Sequence, residues 1–395
     1  MEKEQPVKKA DYPRILYIAD VPVELSFAGA TLIYRLLEEY PKDKLVIIQG
    51  MTVNNSKRIN GVVYHNRHST FRERLKQSKF AKFVSPFFFL RQAVVHAADR
   101  HIVRTYQPDI ILTIPFRLRW VQAYRIAREY NIPLHLILHD DWLITEKQPF
   151  FQKQLEKIFI EMYRFSQSRL CISPNMEAYY RMKTGKDGEV LLPSRGVNDK
   201  IFSPNITRLA KNDRISFCYA GSVFTSDFLP MLDLIAKHTE NEGCDLHIFS
   251  DIAENILERY EHLRKNHVCF YSMVDSAVLV RKMHKEMDVS IVLNSFEMEE
   301  AFRYNFSSKI VDYTSAALPV FFWGPSTGGI ISWAMENGCD NVLQDNDEKK
   351  LAEQIRLLKT GANRQMNAEK MLKKRTAFDY EHNHDIFIKS ISIHS

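Results

Sequence analysis

Cysteine is scarce here. The five present, Cys171, Cys218, Cys244, Cys269 and Cys339, are odd in number and scattered over 395 residues, and no Cys-x-x-Cys pair occurs. That argues against a zinc site or a disulfide framework and for a reducing compartment. Long apolar runs are lacking too: none approaches the roughly 18 residues of a membrane span. The first residues, MEKEQPVKKADYPR, have no apolar core of the signal-peptide kind. The expected location is cytoplasmic, either soluble or peripheral on the inner face of a membrane. A strong charge of one sign is missing, since 54 basic against 48 acidic residues leave +6, and this gives no case for nucleic acid. The G-x-G-x-x-G dinucleotide fingerprint is absent, which disfavours an NAD enzyme. No DxD-type metal demand, internal repeat or low-complexity tract stands out.

The residues present read as an α/β protein. Its length exceeds one usual domain core, and 45% hydrophobic residues suffice for packed interiors. Residues 14–19 form an apolar run suited to a buried parallel strand, and 20–27 a loop. Ala28-Gly29-Ala30 opens a helix expected over 31–40, and a second strand follows at 44–49, a Rossmann-like start. Gly29 is accounted for by close helix packing alone. Further on, strand 110–114, helix 119–130 and strand 134–138 lead to His139-Asp140-Asp141-Trp142. Residues just past the carboxyl ends of parallel strands line the ligand crevice of open α/β sheets. His139 is the leading candidate there, with Asp140 or Asp141 orienting it or touching a substrate; a solvated polar turn is the other reading.

Residues 71–104 hold eight Lys or Arg against Glu73 and Asp99, interleaved with six phenylalanines. Such a segment suits an anionic membrane surface or a lipid-linked ligand, or equally a helix pair with buried phenylalanines and solvated lysines. Stacking of nucleic-acid bases is the weaker reading, because Phe87-Phe88-Phe89 looks like burial.

The most informative stretch is 305–320, NFSSKIVDYTSAALPV. Asn305, Ser307 and Ser308 suit a helix N-terminus, an end that attracts anions, and Lys309 adds a full charge. Asp312 follows one turn on, Pro319 stops the helix, and 320–323 reads as a buried strand. A phosphate and a sugar hydroxyl can be held together by such an arrangement; an ordinary connection with a chance Lys and Asp is the alternative.

SSKIVDYTSAALPV resembles the donor-binding helix of retaining GT-B glycosyltransferases of the family-4 type. The stretch 191–204, with Pro193, Gly196-Val197-Asn198 and Phe202-Ser203-Pro204, resembles that family's interdomain segment. The resemblance implies two Rossmann-like domains with parallel sheets facing a central cleft: 1–200 on the acceptor side, 201–375 binding the nucleotide-sugar, and a helix at 376–395 crossing back. It implies that Asp312 holds the ribose, that Lys309 with Asn305, Ser307, Ser308 and the turn Gly221-Ser222 faces the diphosphate, and that Gly29 lies in a turn closing over donor and acceptor. It further implies that His139 faces the donor sugar, that Asp140 and Asp141 lie on the acceptor side, and that the turn 271–274 frames the base. The partners implied are a nucleotide-sugar donor and a saccharide or lipid-linked saccharide acceptor, with no metal and no further cofactor. Two departures stand out. Tyr304 occupies the position of the first acid of the family's Glu-x7-Glu pair, and Ser222 that of an arginine, with no Lys or Arg over 223–229. The second departure keeps open a catalytically silent partner of another transferase; an epimerase or hydrolase of the same architecture is a further alternative.

Overall fold

A computed structural model describes residues 12–51, 55–67, 94–141, 151–211, 213–223 and 225–392. The Phe-rich part of 71–104, residues 71–93, and Trp142 fall outside these. The chain divides into two compact units, residues 1–197 with 380–395, and residues 198–379.

The first unit is built on β1 (Ile15–Ala19), β2 (Leu45–Gln49), β3 (Val63–Asn66), β4 (Ile110–Thr113), β5 (Leu134–Leu138), β6 (Ser168–Cys171) and β7 (Glu189–Val190). Their order is β3-β2-β1-β4-β5-β6-β7, and every pairing is parallel. In β1, β2, β4 and β5 every residue is buried, which is why these strands are continuous apolar runs without alternation. The direction of strand order reverses between β1 and β4, so the turns leaving these two strands bound the crevice of the sheet. The helix Ala28–Leu37 starts three residues earlier than its sequence suggests, which puts Gly29 inside the first turn. Helix Pro174–Thr184 has the cap its sequence calls for: Met176 N–H donates to Ser173 Oγ at 3.2 Å, with Pro174 at the first helical position. Helix Tyr380–Ile391 places Phe387, Ile388 and Ile391 in the same core as Ile15, Tyr17 and Leu37.

The second unit has β8 (Ser216–Ala220), β9 (Asp245–Phe249), β10 (Val268–Tyr271), β11 (Val289–Leu293), β12 (Val320–Trp323) and β13 (Val342–Leu343). The order β10-β9-β8-β11-β12-β13 is again parallel throughout and reverses between β8 and β11. At the opposite, amino-terminal edge, fully buried Asp288 forms ion pairs with Arg208 Nε at 2.8 Å and Lys211 Nζ at 3.0 Å and accepts the Ser216 N–H at 2.8 Å. Three donors compensate the desolvation of this carboxylate and pin the helix Ile206–Ala210 and the residue after it to the sheet.

Candidate functional site

In the second unit the stretch 305–320 contains a helix of seven residues, Lys309–Ser315. Tyr313 fastens it to the carboxyl end of β8: its hydroxyl donates to Ala220 O at 3.2 Å and accepts the Ala220 N–H at 3.0 Å. Asp312 is thereby buried at the strand-order reversal. Its Oδ1 accepts Ser276 Oγ at 2.5 Å, and its Oδ2 lies 3.3 Å from Lys309 Nζ. Lys309 and Asp312 therefore form one ion pair, where the sequence suggests two separate contacts.

The helix start corrects another expectation. Ser308 sits at the cap position with helical φ −65° and ψ −15°, and no side chain caps the first turn. The N–H groups of Ile310 and Val311 already donate to Ser307 O at 3.3 Å and Ser308 O at 3.1 Å. Most of the positive character here comes from Lys309 itself, and less from free backbone donors. Asn305 Oδ1 is buried without a hydrogen-bond partner among the described residues.

The turns after β8 and β11 meet at Asp227, a residue no sequence spacing singled out. It is buried, and it accepts Ser295 Oγ at 2.6 Å, the Phe296 N–H at 2.7 Å and the Glu297 N–H at 3.2 Å. Burial works to raise its pKa, yet the hydrogen bonds together outweigh that and hold the carboxylate below its ordinary value. Gly221 and Ser222 are shaped from beneath by Tyr219, whose hydroxyl donates to Ser222 O at 3.0 Å; a Cβ on Gly221 would stand 3.1 Å from that hydroxyl. Tyr271 closes β10 and stacks on Phe249 with ring centroids 4.6 Å apart, while Lys282 Nζ lies 3.7 Å from its ring centre.

In the first unit the structure brings Gly29 and His139 together. A Cβ on Gly29 would lie 3.7 Å from His139 Nδ1 and 3.7 Å from Phe27 Cε2. His139 Nδ1 is buried and has no hydrogen-bond partner among the described residues. Burial pushes the pKa of this imidazole down to about 4, so the ring is neutral near pH 7. Neither neighbouring aspartate orients it through Nδ1. Asp141 is buried and accepts the Tyr180 hydroxyl at 2.7 Å; Asp140 has its pKa raised by burial and by the charge of Asp141. The tie from Tyr180 to Asp141 spans 39 residues, and local spacing contains no sign of it.

Among the described residues no group of three or more His, Cys, Asp or Glu is placed to hold a metal ion, and no helix is long and apolar enough to cross a membrane.

No protein-family model matches the sequence, and no curated protein sequence matches it. Solved structures do. An Anabaena protein, HepE, in complex with UDP and glucose superposes with a TM-score of 0.65 at 14% identity, over 96% of this chain and 100% of that one. The chain has the GT-B fold. The UDP-forming α,α-trehalose-phosphate synthase of Burkholderia xenovorans, in complex with glucose-6-phosphate, gives 0.62 at 11% identity over 95% and 99%. The corresponding synthase of Burkholderia vietnamiensis gives 0.60 at 12% over 96% and 100%. Within a GT-B frame the strand-order reversals are the places to look for ligands, and Asp312 with Lys309 stands at one of them and Gly29 near the other.

Proposed function

We propose that this protein is a retaining glycosyltransferase that moves a hexosyl group from a nucleotide-sugar to a saccharide or lipid-linked saccharide acceptor in cell-surface polysaccharide synthesis. The observation that carries this reading is the buried Asp312 paired with Lys309 at the carboxyl end of β8. A carboxylate there accepts ribose hydroxyls, and the ammonium group beside it meets a diphosphate. The nucleotide and sugar ligands named for the similar structures support the same substrate class. In this reaction the bond from the sugar C1 to the diphosphate breaks. The acceptor oxygen bonds to C1 on the same face, and its proton passes to the departing diphosphate. Lys309 stabilises the charge that develops on the leaving group. His139, neutral with a pKa of about 4, is too weak a base to take that proton, and acts through a hydrogen bond to a sugar hydroxyl.

The absence of an arginine at Ser222 and the closed first turn of helix Lys309–Ser315 favour a second reading, a silent GT-B protein that partners another transferase. Thermal-shift binding with UDP, GDP, ADP and TDP, using Asp312→Ala as the control, decides between them. One nucleotide stabilising the wild type and not the variant supports the transferase. No shift with any of the four leaves the silent partner.

A further inference from the structure

Two helices that start at the carboxyl edge of the second sheet differ in their first turns. In Lys309–Ser315 the N–H groups of Ile310 and Val311 are already taken by Ser307 O and Ser308 O. In Gly329–Glu336, which follows β12, the first turn is open. Its cap residue is Gly328, and no side chain caps it. The Ser332 N–H donates to Gly328 O at 2.8 Å, whereas the N–H groups of Gly329, Ile330 and Ile331 have no acceptor among the described residues.

A second observation points at the same turn. Asn294, the residue after β11, is 2% exposed, and its Nδ2 is buried with no hydrogen-bond partner among the described residues. The backbone sets its position. Its N–H donates to Trp323 O at 2.9 Å, and Gly324 admits it, since a Cβ on Gly324 would stand 2.6 Å from Asn294 Cβ. A Cβ on Gly328 would collide with Asn294 Nδ2, so the amide is aimed at the cap residue. Amide and helix start are donors alike, and neither can satisfy the other. Leaving buried donors unpaired is unfavourable, and an acceptor carrying negative charge relieves both at once.

We infer that the start of helix Gly329–Glu336 and Asn294 Nδ2 together bind the diphosphate of the nucleotide-sugar. This rests on the transferase reading given above. It supplies what two departures removed: no arginine stands at Ser222, and the start of Lys309–Ser315 is closed. An open helix N-terminus offers an anion both N–H groups and the positive end of the helix dipole. Glu299 accepts Thr327 Oγ1 at 2.5 Å and is paired with Arg303 Nη2 at 3.7 Å, so its charge is met before an anion arrives.

The test uses inorganic pyrophosphate beside the panel of UDP, GDP, ADP and TDP, followed by calorimetry on the full chain, wild type and Asn294→Asp. The substitution keeps the size of the side chain and puts a carboxylate at a helix N-terminus, which favours the fold and repels the ligand. The urea midpoint is expected to hold or rise. Pyrophosphate, and whichever nucleotide binds, should lose at least about tenfold in affinity. Unchanged affinity in Asn294→Asp overturns the inference, and is the result expected if the amide is turned over and merely caps the helix through Oδ1. A measurement on the wild type stands beside the variant. With isotope-labelled glycine and isoleucine, pyrophosphate should move the amide resonances of Gly329 and Ile330. Movement at Ile310 alone puts the anion at the other helix and overturns the inference as well. A nucleotide that binds wild type and Asn294→Asp equally removes this inference and keeps the transferase reading. Pyrophosphate bound through Asn294, with no nucleotide bound more tightly, keeps the anion site and removes the transferase reading. No binding of any of them removes both.

Discussion

Lys309 Nζ lies 3.3 Å from Asp312 Oδ2, one turn back along the same short helix. The pair is half in solvent, with the lysine side chain 32% and the aspartate side chain 7% exposed. Lys309→Gln removes the charge partner of the buried carboxylate while Ser276 Oγ still donates to it, and is expected to cost about 1 kcal/mol in urea unfolding. It should also remove most of the nucleoside diphosphate shift. Ser276→Ala keeps the charge pair and is expected to weaken nucleotide binding by no more than about threefold. A Ser276→Ala variant that binds as poorly as Lys309→Gln would show that charge is not what holds the nucleotide.

Asp227 joins two turns that are far apart in sequence. Asp227→Ala strands Ser295 Oγ and the N–H groups of Phe296 and Glu297, and is expected to cost about 2–3 kcal/mol. Since the folded-state pKa is held below the unfolded value, the carboxylate contributes stability that is present above the ordinary value of 3.8 and lost as pH falls through the lowered one. The difference in urea midpoint between wild type and variant should therefore shrink in strong acid.

His135 and His139 act in the same direction, each costing stability as pH falls, but in a higher pH window. Burial lowers both from the ordinary 6.5 to about 4. Above 6.5 neither state is protonated. Between 6.5 and about 4 the unfolded chain takes up protons that the native state refuses, so stability falls with pH, by up to about 1.4 kcal/mol per pH unit for each histidine. Stability measured across that window should show this slope, and His135→Gln should reduce it. An NMR titration that finds the His139 ring protonated near pH 6.5 would contradict the buried Nδ1.

Gly29 has room for a methyl group, because its nearest neighbours would sit at 3.7 Å, an ordinary contact. Gly29→Ala should fold normally and gain about 0.5–1 kcal/mol from helix propensity. If glycosyl transfer then falls by tenfold or more while stability rises, Gly29 is there for the approach of a ligand. If activity is unchanged, Gly29 has no role in binding.

Much of the frame was legible in the residues. The helix over 119–130 and the strand over 134–138 coincide with Arg119–Tyr130 and Leu134–Leu138, because buried parallel strands must be apolar throughout and a helix between them must not be. The ending of helix Lys309–Ser315 was half legible. Pro319 marks where it cannot continue, but the turn itself is made by Ala317 at φ +57°, a conformation in which a Cβ is disfavoured and which no residue name announces. The site was legible only as a set of separate residues. Ser276 with Asp312, Ser295 with Asp227 and Tyr180 with Asp141 are 36, 68 and 39 residues apart, and each pair exists only because the parallel α/β fold brings distant turns and helices together. Serines 307 and 308 mark a helix start by composition, yet the backbone closes that start on itself.

The helix Tyr380–Ile391 belongs to the first unit although some 180 residues of the second are translated before it. The second unit is one unbroken stretch of chain, 198–379, and has all of its strands once the ribosome has passed β13. The first unit must wait, with the core around Ile15, Tyr17 and Leu37 lacking Phe387, Ile388 and Ile391 until the last helix emerges. During synthesis the order of completion is therefore reversed relative to the order of the chain, and the earlier-made half is the one that depends longest on protection from aggregation.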